Sequence, residues 1–339
     1  MAANRRGPAV AGLLVLFAAG WGVGTIDAVL GLASPVEDSG DWVEDSGDEV
    51  EESGDEIEGS GGWVEAGDWL WALESITWQV TAAALLVWAA VMFAGTHGVG
   101  RRQLGLSLPR TRENWRAEAG VFGADVLVSV AAFRVMDLVD GLLGVPPYGS
   151  DGYEPVAPEI ADGLVASALA GPTEEVVLLA VTVSVLRRAG FSWCAVVLFA
   201  VALRLSFHLY YGVGTAALVI WAAGMVVVYA RTGRILGVVV SHALWNVTRD
   251  VDHLTGLPVP VLFWSLQVAA LVFLVLAWRA GVFTGRPERH LPPPPGAAGR
   301  PAAGALVPQP AGRVDAAPPA GGSAPADVAP AGDCTRPGR

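Results

Sequence analysis

Eight apolar stretches divide this chain of 339 residues, at approximately Ala9–Leu32, Ile76–Gly95, Ala119–Val145, Ile160–Leu186, Trp193–Tyr211, Gly214–Ala230, Ile235–Val247 and Val259–Phe283. Several reach the roughly 20 residues that a helix needs to cross the hydrocarbon of a bilayer, and the seventh is short for that task. Composition agrees: 16% of residues are charged, against about 25% in an ordinary soluble domain, and 53% are hydrophobic. The expectation is an all-α, polytopic membrane helical bundle of about eight transmembrane helices. Arg5 and Arg6 precede the first stretch as they would in a secretion signal. Its length and the lack of an early small-x-small site favour an anchor over residues 1–33.

Charge between the stretches tests this topology. With the N-terminus inside, the inner connections carry fourteen arginines: Arg5, Arg6, Arg101, Arg102, Arg110, Arg112, Arg116, Arg187, Arg188, Arg231, Arg234, Arg279, Arg286 and Arg289. The outer connections carry one, Arg249. This is the asymmetry of the positive-inside rule for eight spans with both termini cytoplasmic. All 21 basic residues are arginine, a usage that points to a GC-rich bacterial source and so to the plasma membrane.

Two segments lie outside the apolar pattern. Residues 34–70 hold the repeat VEDSGDW, VEDSGDE, VEESGDE, IEGSGGW, VEAGDW. Each unit brings a glycine and one regular apolar position, so no coiled-coil seam forms; the acidic, small, polar composition predicts a disordered loop. It contains no complete EF-hand loop for calcium. Residues 284–339 are rich in Pro, Ala and Gly and predict a disordered cytoplasmic tail. The membrane domain is therefore expected over 76–283. The net charge of −12 comes largely from the acidic repeat, and no basic face interleaved with aromatics suggests nucleic acid. Cys194 and Cys334 form neither a CxxC pair nor a disulfide framework.

The chemistry of interest sits where lipid should exclude it. Within PTEEVVLLAV, Glu174 and Glu175 are the only ionisable residues between Gly163 and Leu186. A charge at mid-bilayer costs on the order of 2.5–3.5 kcal/mol on insertion scales, so such groups face polar partners rather than lipid. The fifth stretch ends ALRLSFHLYYG, with Arg204 and His208 at helical spacing i, i+4; the seventh contains SHALWN, with His242 and Asn246 at the same spacing. Taken singly, an intramembrane histidine or a Glu–Arg pair is ordinarily structural. Asp125, Arg134 and Asp137 in the third stretch are read that way, Arg134 and Asp137 being able to neutralise each other at i, i+3. Together, however, a carboxylate pair, two histidines and an amide on three stretches supply a base, a proton carrier and oxyanion donors for acyl transfer to water.

TEEVVLL, RLSFHLYYG and SHALWN resemble, in order and spacing, the EExxxR, FxxxH and HxxxN/D motifs of the CPBP family. These are the CAAX-protease and bacteriocin-processing, or Abi, membrane proteins, which include the type II CAAX prenyl endopeptidases. The resemblance covers residues 160–247 and implies an eight-span fold and an intramembrane endopeptidase. It further implies that Glu174 activates the hydrolytic water with Glu175 as its partner acid. His208 would position that water or carry its proton, and His242 with Asn246 would polarise the scissile carbonyl.

Two positions depart from the family pattern. Leu179 stands where EExxxR has arginine, and Arg204 stands where FxxxH has phenylalanine. One arginine is lost and another gained a helical turn before His208, which suggests that Arg204 reaches Glu175 as a replacement countercharge. No cofactor is favoured. The alternative is a zinc ion on Glu174, His208 and His242, although no HExxH motif is present. The expected partners are the bilayer and a peptide or membrane-protein substrate. The competing readings are a non-catalytic membrane scaffold or bacteriocin self-immunity protein and, ranked behind it, a proton-coupled transporter.

Overall fold

The computed structural model describes residues 5–33, 66–144, 156–255 and 260–284. Most of the acidic repeat and the whole Pro/Ala/Gly tail lie outside the described residues, and with them the expectations of disorder there. The described chain is helical, with no strand among the described residues. Its α-helices are α1 (Arg6–Ala33), α2 (Ala66–Thr96), α3 (Arg112–Leu143), α4 (Ala157–Glu174), α5 (Thr182–Arg188), α6 (Trp193–Ser206), α7 (Leu218–Thr232), α8 (Leu236–Thr255) and α9 (Pro260–Arg279). A π-helical segment, Glu175–Val181, joins α4 to α5 in one rod, and a 3-10 segment, Leu209–Ala217, leads into α7. The result is eight rods among the described residues, one for each apolar stretch.

Four rods are long and apolar enough to cross a membrane: Arg6–Leu30, Ala66–Thr96, Ala157–Arg188 and Leu209–Thr232. Trp193–Ser206 and Phe263–Arg279 are shorter apolar helices. The two remaining rods, α3 and α8, carry many polar groups, among them Glu118, Asp125, His242 and Asp250. These are also the rods against which the interior packs. α3 lies against α7, α8 and α9, while α4 lies against α8 and α2. By contrast α1, α2 and α9 turn Val15, Trp78, Trp88, Trp264 and Trp278 outward, an apolar surface suited to lipid tails.

Close approach of these rods depends on small residues. A β-carbon at Gly171 would strike the Val239 carbonyl oxygen and lie 3.0 Å from the Ala243 nitrogen, so glycine lets α4 touch the α8 backbone. Gly123 does the same for α3 against α9, where a β-carbon would meet the Ala270 carbonyl oxygen.

Element boundaries differ from expectation at three places. Helix α2 starts at Ala66, inside the segment assigned to the acidic loop and well before Ile76. The last repeat unit runs directly into the apolar WLWAL, and Asp68 in the first turn suits the positive end of the helix dipole. Helix α8 continues beyond Val247 to Thr255. Helix α6 stops at Ser206 rather than reaching Tyr211, and Gly212 takes φ 61°, ψ −139°, a conformation that glycine alone adopts readily.

One buried polar cluster fixes the start of α8. Glu118, 5% exposed, accepts from Arg234 Nη1 at 3.1 Å and from the Gly237 backbone N–H at 2.9 Å. Arg234 Nη2 also donates to Asn114 Oδ1 at 2.9 Å. A carboxylate thus satisfies one of the unpaired amide donors of a helix N-terminus and a guanidinium at once.

Candidate active site

Pro172 interrupts the run of amide donors in α4, and three residues later the rod widens into its π segment. Thr182 Oγ1 donates to the Val177 carbonyl at 2.9 Å, a five-residue reach that matches the wider turn. Every residue from Glu175 to Val181 is buried. Short π segments are frequent at functional sites because they rotate side chains out of the α-helical register. Here the change falls between the two glutamates.

Glu175 is fully buried, with one oxygen hydrogen-bonded and the other held by an ion pair rather than a hydrogen bond. His242 Nδ1 donates to Oε1 at 2.7 Å, and Arg204 Nη2 lies 2.7 Å from Oε2. The sequence hypothesis for Arg204 thus has its geometric counterpart: an arginine on α6 stands against Glu175 while Leu179 is packed in the apolar core. The Arg204 guanidinium also lies 4.2 Å from the centre of the Trp221 ring, which meets the His242 ring edge-on at 5.1 Å and 89°. Trp221 Nε1 donates to Asp125 Oδ1 at 3.1 Å, and Ser241 Oγ donates to Asp125 Oδ2. One chain of contacts therefore runs Glu175, Arg204, Trp221, Asp125, Ser241 across five rods.

Glu174 faces the other way. It lines a cavity of about 610 Å³ together with His208, His242 and Asn246. Its Oε2 is buried and has no hydrogen-bond partner among the described residues. The same is true of Trp245 Nε1, also on the cavity wall. An unpaired buried acceptor and donor on one cavity are each costly, by about 1–3 kcal/mol, unless something polar occupies the space between them.

The two residues of the middle motif separate. Arg204 and His208 were expected on one helix face, but α6 ends at Ser206 and His208 sits in the break before the 3-10 segment. Arg204 points into the protein core and His208 into the cavity. His208 Nδ1 lies 2.7 Å from the Arg204 carbonyl oxygen. A carbonyl only accepts, so Nδ1 carries the hydrogen and Nε2 of the neutral ring is left as the acceptor. His242 and Asn246 both line the cavity, as their spacing on α8 predicts.

Among the described residues no three His, Cys, Asp or Glu side chains stand together as a metal-holding group. Glu174, His208 and His242 share the cavity without being gathered into a coordination set, and no step below runs through a metal.

The sequence reads Asp125 as structural or near a helix end, and it lies in the interior of α3, hydrogen-bonded by Trp221 and Ser241. Arg134 and Asp137 do pair with each other, at 3.7 Å and 62% exposed. Asp125 is 1% exposed and belongs to the interior network. The available signal was its isolation: Arg134 is nine residues away, too far along a helix to neutralise it. Ser241, Trp221 and Trp245 were missed as well. An aromatic or a serine in an apolar stretch carries no signal of its own.

Residues 156–248 match the family model described as Rce1-like, type II CAAX prenyl endopeptidase Rce1-like. The CPBP resemblance read from the three motifs agrees with that match, and the matched segment contains all three. No curated protein and no solved structure matches the chain.

Proposed function

We propose that this chain is an integral membrane endopeptidase that hydrolyses a peptide bond in a membrane-associated substrate, with Glu174 activating the attacking water. All eight rods would span a bacterial plasma membrane, with both termini cytoplasmic, as the arginine asymmetry suggests. The observation that carries the reading is the contrast between the two glutamates. Glu175 is tied to the interior, its Oε1 taking the His242 hydrogen bond and its Oε2 an ion pair with Arg204, whereas Glu174 presents a buried oxygen that has neither to a cavity it shares with two histidines and an amide.

In this scheme Glu174 takes a proton from water as the oxygen attacks the scissile carbonyl carbon. His208 Nε2 accepts a hydrogen bond from that water and so orients it. The tetrahedral oxyanion is met by the Asn246 amide and, one helical turn away, by the Nε2–H of His242 as an imidazolium, since its Nδ1–H is already given to Glu175. Collapse breaks the C–N bond, and Glu174 returns its proton to the departing amine. Glu175 and Arg204 do not touch substrate; they hold His242 in one ring orientation, as a second layer of hydrogen bonds does in many catalytic sites.

The test is cleavage of a fluorogenic peptide library by the purified protein in liposomes, comparing wild type with Glu174→Gln and His208→Ala, with and without a strong zinc chelator. Cleavage lost in both variants and indifferent to chelator supports the scheme. Cleavage abolished by chelator and restored by zinc would replace it with the metal reading. A wild type that binds peptides but never cleaves them would favour the scaffold or self-immunity reading.

A further inference from the structure

The cavity has one deep end and one shallow end, and the contacts between α4 and α8 give their direction. Glu175 meets His242, Gly171 meets Ala243, and Ser167 donates to Asp250. As numbers fall along α4 they rise along α8, so the two rods are antiparallel. The cavity lining follows both rods toward the same end, from Glu174 and His242 to Ser167 and Asp250. Helix α3 ends there too: Phe133 stacks on Trp245 at 5.5 Å, and the Arg249 guanidinium lies 4.6 Å from the centre of the Phe133 ring.

The opposite end of the same rods gathers the arginine-rich connections. Arg6 Nη2 donates to the Gly190 carbonyl at 2.9 Å. Tyr229, near the end of α7, donates to the Gln103 carbonyl at 3.0 Å. Arg234 binds Asn114 at the start of α3. Three-dimensional packing therefore brings the segments near residues 6, 103, 114, 190 and 234 to one end. Those segments hold most of the arginines, including Arg101, Arg102, Arg187 and Arg188. The cavity end has Arg249 and an Arg134 that is paired with Asp137. Glu174 is fourteen residues from Arg188 and His242 eight from Arg234, about 21 and 12 Å at the rise of an α-helix, and from these two groups the cavity lining continues away from the arginines to Ser167 and Asp250.

We infer that the cavity opens to the extracytoplasmic side of the membrane. Arginine-rich connections stay cytoplasmic, and the cavity extends away from them. The substrate class follows, resting on the endopeptidase reading above: a peptide segment of a membrane-tethered protein that lies on the outer side and bends into the bilayer to reach Glu174.

Single-cysteine labelling in a Cys194→Ser, Cys334→Ser background tests this without requiring activity. Ala166→Cys and Ser167→Cys report on the cavity. Leu142→Cys, at the exposed end of α3, reports on the same side of the membrane, and Leu108→Cys, exposed in the arginine-rich connection, reports on the other. A membrane-impermeant maleimide is applied to intact spheroplasts and to inverted vesicles. The expected result is labelling of the cavity cysteines and Leu142→Cys in spheroplasts only, with Leu108→Cys labelled in inverted vesicles only. The reverse pattern overturns the inference. So does a cavity cysteine that stays unlabelled in spheroplasts while Leu142→Cys reacts there. Either failure would leave the hydrolytic scheme standing, and loss of that scheme in the peptide assay would leave the labelling pattern unaffected.

Discussion

Glu118 and Glu175 are both buried glutamates paired with an arginine from another rod, and they do different things. Glu118 takes Arg234 and the Gly237 amide at the end of the bundle, where Arg234 still reaches solvent. Glu175 takes Arg204 and His242 in the protein interior, with the arginine 3% exposed. A buried ion pair by itself is weak evidence for either stability or function, because desolvation consumes most of the Coulombic gain. What separates these two is the next residue outward. Beyond Glu118 lies a helix terminus that the carboxylate completes; beyond Glu175 lie His242 and then a cavity into which Glu174 presents an oxygen with nothing bound. The candidate for chemistry is Glu174, which faces the cavity without a hydrogen bond or a countercharge, and the ion pair buried beside it is its support.

The largest effect should come from the unsatisfied group. Glu174→Gln keeps the shape and removes the base, so peptide cleavage should fall by roughly 100- to 10,000-fold, with the thermal unfolding transition unchanged. A Gln variant that cleaves as well as wild type would move the base elsewhere.

Next comes the support. Arg204→Phe leaves Glu175 buried with His242 as its one remaining partner and should destabilise the protein by about 3–5 kcal/mol, read as a lowered unfolding temperature in detergent. Adding Leu179→Arg puts a cation one helical turn from Glu175 on its own rod and should recover part of that loss. A double variant no more stable than the single one would sink the idea that Arg204 substitutes for an arginine at position 179.

A smaller change is expected at the far end of the same network. Asp125→Asn keeps one acceptor and exchanges the other for a donor, so one of the bonds from Trp221 and Ser241 is lost, at about 1–3 kcal/mol. Trp221 stacks on Arg204 and edges His242, so kcat should fall while KM changes little. An unchanged kcat with lowered stability would make Asp125 purely structural.

The eight rods and the gathering of Glu174, His208, His242 and Asn246 around one cavity were legible because both rest on patterns that lipid enforces. Apolar runs of spanning length and charges isolated within them survive any detail of packing. The inward turn of Arg204 was legible too, since a lost arginine and a gained one have to be read together. The π segment was not, because Glu175–Val181 reads as an ordinary apolar helix, and its register change arises from packing and Pro172 rather than from a residue preference. For the same reason the opposite orientations of Glu174 and Glu175 could not be derived. Adjacent residues on a helix differ by about 100°, and which of them faces the cavity depends on the local twist. The break at His208 was missed because RLSFHLYYG continues the apolar run, and the only punctuation is Gly212.

Glu118→Gln closes the comparison from the structural side. The amide can still accept from the Gly237 N–H through its carbonyl oxygen, while its NH₂ offers Arg234 only another donor. Arg234 is 26% exposed and keeps its bonds to Asn114, so solvent and the second partner absorb part of the loss. The expected cost is about 1 kcal/mol, visible as a small drop in unfolding temperature, with cleavage per folded molecule unchanged. If instead Glu118→Gln abolished cleavage at full stability, the two glutamate–arginine pairs would be functionally coupled through α8. The division between a satisfied anchor and a site with an unsatisfied group would then have to be abandoned.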